Sequence, residues 1–168
     1  MSKTCIIYSF NSNKTKLIAE IIADAFGEGK IEKVNAETIT EEQFLSFDNM
    51  ILGVPTWFDG ELPNYWSEFV PALEDLDLQG KTFAIFGLGD QEGYPENFVD
   101  GIGILAKLLE ERGGRIVGET PTEGYTFESS AAVRDGKFLG LALDQENQAR
   151  LTNGRVAKWV ESLHNFIK

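Results

Sequence analysis

The chain has 168 residues, 42% of them hydrophobic and 25% charged, a length and composition that fit one domain better than two. Fifteen Lys and Arg stand against 27 Asp and Glu, a net charge of -12 that disfavours nucleic-acid backbones and anionic membrane surfaces. A single cysteine and a single histidine exclude an internal disulfide and a cysteine- or histidine-rich metal site.

The start Met1-Ser2-Lys3 leads directly into an apolar strand, Thr4–Tyr8, without the pattern of a signal peptide. No apolar run reaches the length of a membrane span, so a cytoplasmic protein is expected. Cys5, inside that first strand, reads as a buried and inert thiol, and His164 as a surface residue. Lys14–Ala25 then repeats Leu17, Ile18, Ile21, Ile22 and Ala25 at helical spacing. Ile31–Asn35 predicts a second strand and Glu41–Phe47 a helix. Asn49–Val54 is an unbroken apolar run, the mark of a strand buried on both faces.

A short helix carrying Tyr65, Trp66, Phe69 and Val70 follows, then a fourth strand, Lys81–Phe86. Asn97–Arg112 predicts a helix that Gly113-Gly114 stops, and Arg115–Gly118 opens a fifth strand. Residues 119–144 are polar and turn-rich apart from Phe138–Leu143, and Val156, Trp159, Val160, Leu163 and Ile167 mark a C-terminal helix. Strands alternating with helices predict an α/β fold, a doubly wound parallel sheet covered on both faces, with the whole chain (1–168) as one domain. Ligands of such sheets bind beyond the carboxyl ends of the strands, which points to the loops after strands one, three and four.

The first loop is Ser9-Phe10-Asn11-Ser12-Asn13-Lys14-Thr15. It enters a helix N-terminus, where free N–H groups favour an anion, although Ser and Asn there also suit a plain helix cap. It lacks the glycines of nucleotide-binding loops. The second loop, Pro55-Thr56-Trp57-Phe58-Asp59-Gly60-Glu61, places two aromatics at the binding edge. Trp57 is either a core filler or a stacking surface, and Gly60 permits close backbone approach. In the third loop, Gly87 to Asn97, the spacing from Gly89 to Gly93 is one residue too long for a dinucleotide loop. Tyr94 adds an aromatic and Leu88, Gly89 and Asp90 add backbone donors and acceptors. A phosphate cradle with aromatics on two separate loops suits a flat heterocycle on a phosphate tail.

These stretches resemble the flavodoxin family, long-chain type, over essentially the whole chain. The resemblance rests on Pro55-Thr56-Trp57 with Gly60-Glu61-Leu62-Pro63, and on Phe86-Gly87-Leu88-Gly89-Asp90-Gln91 with Gly93-Tyr94-Pro95-Glu96-Asn97-Phe98. Two further stretches, Gly124–Ala131 and Lys137–Asp144, are similar to the segment that interrupts the fifth strand in that type. The resemblance implies strand order 2-1-3-4-5 and non-covalently bound flavin mononucleotide (FMN). It implies that Trp57 and Tyr94 flank the ring, that backbone from Leu88 to Asp90 meets its pyrimidine edge, and that the peptide at Phe58-Asp59 faces N5. Asn97 would lie near the flavin and residues 9–15 would hold the phosphate.

The function implied is a low-potential one-electron carrier working through quinone, semiquinone and hydroquinone states, not an enzyme. Its partners would be basic-faced redox proteins, such as flavodoxin or ferredoxin reductases and low-potential oxidoreductases, met as a monomer. Asp59, Glu61 and Asp90 would oppose added negative charge on the ring. The first loop departs from the family pattern: Phe10 replaces a hydroxyl residue and Asn13 replaces a glycine, a substitution in which Asn's tolerance of left-handed backbone would preserve the turn. A flavin-dependent quinone reductase would need a second substrate pocket that nothing in the sequence signals. A phosphorylated receiver domain would need acidic residues where Ser9-Phe10 and Pro55-Thr56 stand.

Overall fold

The computed structural model describes residues 3–57 and 59–167. Along the chain, β1 (Thr4–Tyr8), α1 (Lys14–Phe26), β2 (Glu32–Asn35), α2 (Glu41–Leu45), β3 (Asn49–Pro55), α3 (Asn64–Leu73), β4 (Thr82–Leu88), α4 (Asp100–Glu111) and β5 (Arg115–Val117) alternate strand with helix. They are followed by β6 (Thr120–Pro121), β7 (Val133–Arg134), β8 (Lys137–Phe138), β9 (Leu141–Leu143) and α5 (Thr152–Leu163). The main sheet is parallel in order β2-β1-β3-β4-β5, and a small antiparallel sheet has order β6-β8-β7.

The fifth position of the main sheet is filled twice. β5 pairs with Thr82–Ala84 of β4, and β9 pairs with Phe86–Leu88 of the same strand. The interruption of the fifth strand therefore falls between Val117 and Leu141; Leu141–Leu143, expected within the interrupting segment, instead form the second half of the edge strand.

Successive strand residues serve opposite faces, which is why the central strands are continuous apolar runs. Cys5, Ile7, Met50, Leu52, Phe83 and Ile85 pack on one face with Phe44 of α2, Trp66 of α3 and Leu105 of α4. Ile6, Tyr8, Ile51, Ala84 and Phe86 face Ile18 and Ile22 of α1 and Trp159 of α5. Burial pushes the Cys5 thiol far above its usual range, as expected of an inert core cysteine, with Glu32 adding to the shift. His164 is exposed and lies edge-on to Phe26.

Two helices are shorter than their apolar spacing predicts. α2 ends at Leu45 because the Ser46 amide and hydroxyl both donate to the Gln43 carbonyl, closing the last turn and freeing Phe47 to enter the core. α4 begins at Asp100 because Val99 has φ +48°, a left-handed conformation that interrupts any helix running in from Asn97.

Candidate functional site

Two adjoining cavities open at the carboxyl ends of β1, β3 and β4, where a doubly wound sheet places its ligands. One, of about 580 Å³, is lined by Thr56, Trp57, Leu88, Gly89, Asp90, Tyr94 and Asn97, together with Gln145 and Glu146. The other, of about 490 Å³, is lined by Ser9, Asn11, Ser12, Asn13, Thr15, Glu37, Pro55 and Tyr65. Lys14, Trp57 and Leu88 border both, so the two form a continuous recess.

The aromatic wall is built from the loops after β3 and β4. Trp57 and Glu61 exchange two backbone hydrogen bonds, 2.8 and 2.7 Å, which close their loop into a tight bulb and turn the indole outward. Trp57 stays 37% exposed, with Tyr65 edge-on to its ring. Gly60, at the tip, has φ +87°, and a Cβ there would meet Asp100 Oδ2 at 2.5 Å and Asn97 Nδ2 at 2.8 Å. Only glycine lets the bulb lie this close to the start of α4. Phe58 lies outside the described residues, so the Phe58-Asp59 peptide is not placed.

Tyr94 is 56% exposed on the loop after β4. Asp90 shapes that loop: its Oδ1 accepts from the amides of Glu92 and Gly93, and its carbonyl accepts from the Tyr94 amide. The Gly89 amide is committed to the Leu143 carbonyl at 3.0 Å, leaving the Asp90 amide without a partner among the described residues. Thr56 Oγ1 accepts from the Gly101 amide at 2.9 Å, and Asn97 Nδ2 donates to Asp100 at 3.0 Å. Both side chains are thereby fixed at the cavity wall.

The loop at residues 9–15 differs from its expected chemistry. Asn13 has φ -95° and ψ -61°, a right-handed backbone, so the turn needs neither a glycine nor a left-handed asparagine. Ser12, one residue before the N-cap Asn13, braces the helix start: its hydroxyl donates to the Ser9 carbonyl and accepts from the Lys16 amide. Ser9 and Asn11 give their side-chain protons to Glu37, and Phe10 gives its amide to Asn35 while its ring leans on Tyr8. Lys14 pairs with Glu146. The amides of Asn13, Lys14 and Thr15 have no partner among the described residues. Three donors at a helix N-terminus thus face the recess.

Sequence reasoning missed two parts of this site. Glu37 lies on the connection from β2 to α2, which carried no sequence reading, Tyr65 sits on α3, read only as structural, and the loop after β9 arrives through Asp144. Asp144 is fully buried and accepts from the Gln91 amide and side chain, the Glu146 amide, and the Asn147 amide and side chain. Burial alone would raise its carboxyl, but the hydrogen bonds from Asn147 and Gln91 prevail and hold it below the usual range. Asn147 also donates to Asp90 at 2.8 Å, joining this loop to the one bearing Tyr94. The Tyr65 hydroxyl is buried without a hydrogen-bond partner among the described residues; burial first, then the charge of Glu37, pushes its ionisation up. The only sequence signal for the β9 loop was its likeness to the family around Lys137–Asp144.

The family model for Flavodoxin matches residues 6–159. The chain belongs to the flavodoxin family. It is 41% identical to a flavodoxin of Klebsiella pneumoniae, with 99% of each chain covered. A flavodoxin of Nostoc sp. is 42% identical over 96% of this chain and 95% of its own. Among solved structures, Fusobacterium nucleatum flavodoxin bound to flavin mononucleotide superposes with a TM-score of 0.94 at 33% identity, with 100% of both chains covered. Such relatedness makes the flavodoxin recess, with its aromatic wall and its helix N-terminus, the place to look for function.

Proposed function

We propose that the chain binds one FMN non-covalently and carries single electrons between redox protein partners, as an electron-transfer protein and not an enzyme. The observation that carries this reading is the continuous recess that joins two exposed aromatic rings, Trp57 and Tyr94, to three unpartnered helix-N-terminal amides. A flat apolar ring fits the first end and a phosphate fits the second. When bound, FMN supplies the one-electron chemistry. The chain's part is to hold it. Trp57 and Tyr94 flank the ring, Asp90 N–H and the backbone near Leu88 and Gly89 meet its polar edge, and Asn13, Lys14 and Thr15 amides with the Thr15 hydroxyl hold the phosphate. Thr56, Asn97 and Gly60 keep the two loops in register.

Membership of the family supports redox proteins as partners in general. The finer reading is of basic-faced partners, such as flavodoxin or ferredoxin reductases and low-potential oxidoreductases, met by a monomeric, single-domain, cytoplasmic carrier. No helix among the described residues is long and apolar enough to cross a membrane.

Titration of the apoprotein with FMN, followed by quenching of flavin fluorescence, tests the site. Trp57→Ala and Tyr94→Ala should each weaken binding by roughly 1 to 3 kcal/mol, the loss of one stacking face. Unchanged affinity in both variants would remove the aromatic sandwich from the proposal, and failure to bind FMN at all would end it.

A further inference from the structure

Glu37 lies on the connection from β2 to α2, yet it lines the same cavity as the unpartnered amides of Asn13, Lys14 and Thr15. Both of its carboxylate oxygens are engaged by the loop that would hold phosphate: Ser9 Oγ donates to Oε1 at 2.6 Å and Asn11 Nδ2 donates to Oε2 at 2.7 Å. Its position is fixed by its own backbone, since the Glu37 amide donates to Asn35 Oδ1, the same oxygen that receives the Phe10 amide. The hydrogen bonds from Ser9 and then Asn11 hold the carboxyl below its usual range, so it is ionised at neutral pH.

The loop's cation, Lys14, borders the same cavity, but its ammonium is turned to Glu146, which offsets part of its charge. An incoming phosphate therefore meets backbone amides, the Thr15 hydroxyl, which has no partner among the described residues, and a standing negative charge that already occupies two of the loop's side-chain donors. A dianion and a carboxylate lining one cavity repel each other, and because Glu37 is exposed to solvent the repulsion is screened to a modest size.

We infer that Glu37 is a specificity-determining residue at the phosphate end of the site, whose carboxylate competes with the phosphate for the loop and narrows the preference for FMN over riboflavin. The inference rests on the proposed reading of residues 9–15 as the phosphate loop. Ser9 and Asn11 are then reserve donors, released to the ligand only when Glu37 lets go of them.

The test is titration of wild-type, Glu37→Gln and Glu37→Ala apoproteins with FMN and with riboflavin, at low and high salt. Gln keeps the size and an acceptor for Ser9 while removing the charge. FMN should bind Glu37→Gln roughly fivefold to tenfold more tightly than wild type, with riboflavin unchanged, and rising salt should shrink that gap by screening. An unchanged or weaker FMN affinity in Glu37→Gln would overturn the inference. So would equal weakening of both ligands in both variants, which marks a strut for the loop. Equal wild-type affinities for FMN and riboflavin would count against the phosphate-loop reading itself. In that event the role of Glu37 would stand only if Glu37→Gln regained a preference for FMN, and would fall otherwise.

Discussion

Asp144 shows how one carboxylate can organise a binding edge that it does not itself line. Five donors from Gln91, Glu146 and Asn147 converge on it in a fully buried setting. Gln91 extends the network by accepting from the Thr126 amide and donating to Gln148. In Asp144→Asn, an amide group would be set against donors, leaving buried N–H groups unpaired. The variant should lose about 3 kcal/mol at pH 7, read from urea unfolding, since bonds to a charged acceptor contribute about 1.5 to 3 kcal/mol each and do not add fully. The folded carboxyl titrates below its unfolded value, so its contribution is complete above the unfolded pKa of about 4 and fades as pH falls through the folded value. The gap between wild type and variant should therefore close on acidification below about pH 4; a gap constant across that range would contradict the assignment. None of this was legible in the sequence. Asp144 and Gln91 stand 53 positions apart, and neither has a local pattern that marks it as half of a network.

At the scale of elements, the strands of the main sheet were the most legible part, because burial on both faces leaves an uninterrupted apolar run. Helix existence was legible for the same reason, while helix ends were not. The start of α4 turns on the backbone of Val99, a β-branched residue that sequence preference would never place at positive φ. The recess followed from topology once three loops were assigned to one sheet edge, and Trp57 and Tyr94 were found where that logic put them. What hid in the first loop was the partner of each side chain: hydroxyl and amide residues looked free until Glu37 and the helix backbone were seen to claim them. Gly103 of α4 offers a test in which two expectations oppose each other. Helix propensity alone favours Gly103→Ala by about 1 kcal/mol. A Cβ there, however, would be forced against the Ala131 carbonyl and come within 2.8 Å of the Ala132 amide, both rigid backbone. Overpacking of this kind costs about 1 to 3 kcal/mol, so the variant should be net destabilised in urea unfolding; a stabilised variant would mean that the segment at 131–132 yields readily.

For the molecule as a whole, the charge of -12 includes exposed acids on the two loops that bear the aromatic rings, Asp59, Glu61, Glu92 and Glu96, and Glu68 on the neighbouring α3. Association with a basic-faced reductase should slow steeply as salt rises, because exposed charges are screened beyond about 8 to 10 Å near physiological ionic strength. Stopped-flow rates independent of salt would reduce the charge to a solubility feature. The divided edge strand has a consequence of another kind. Arg115, Ile116 and Val117 stand beside Thr82, Phe83 and Ala84, and Leu141, Ala142 and Leu143 stand beside Phe86, Gly87 and Leu88. Only Ile85 separates the two ladders, so a covalent path with one residue between Val117 and Leu141 would trace the same edge. The sheet records which side chains stand beside β4 and is indifferent to how they are joined. Genetic change in chain length between those points is therefore free of the sheet's arithmetic, and is limited instead by what the intervening residues bury, chiefly Ala132, Phe138 and Leu139.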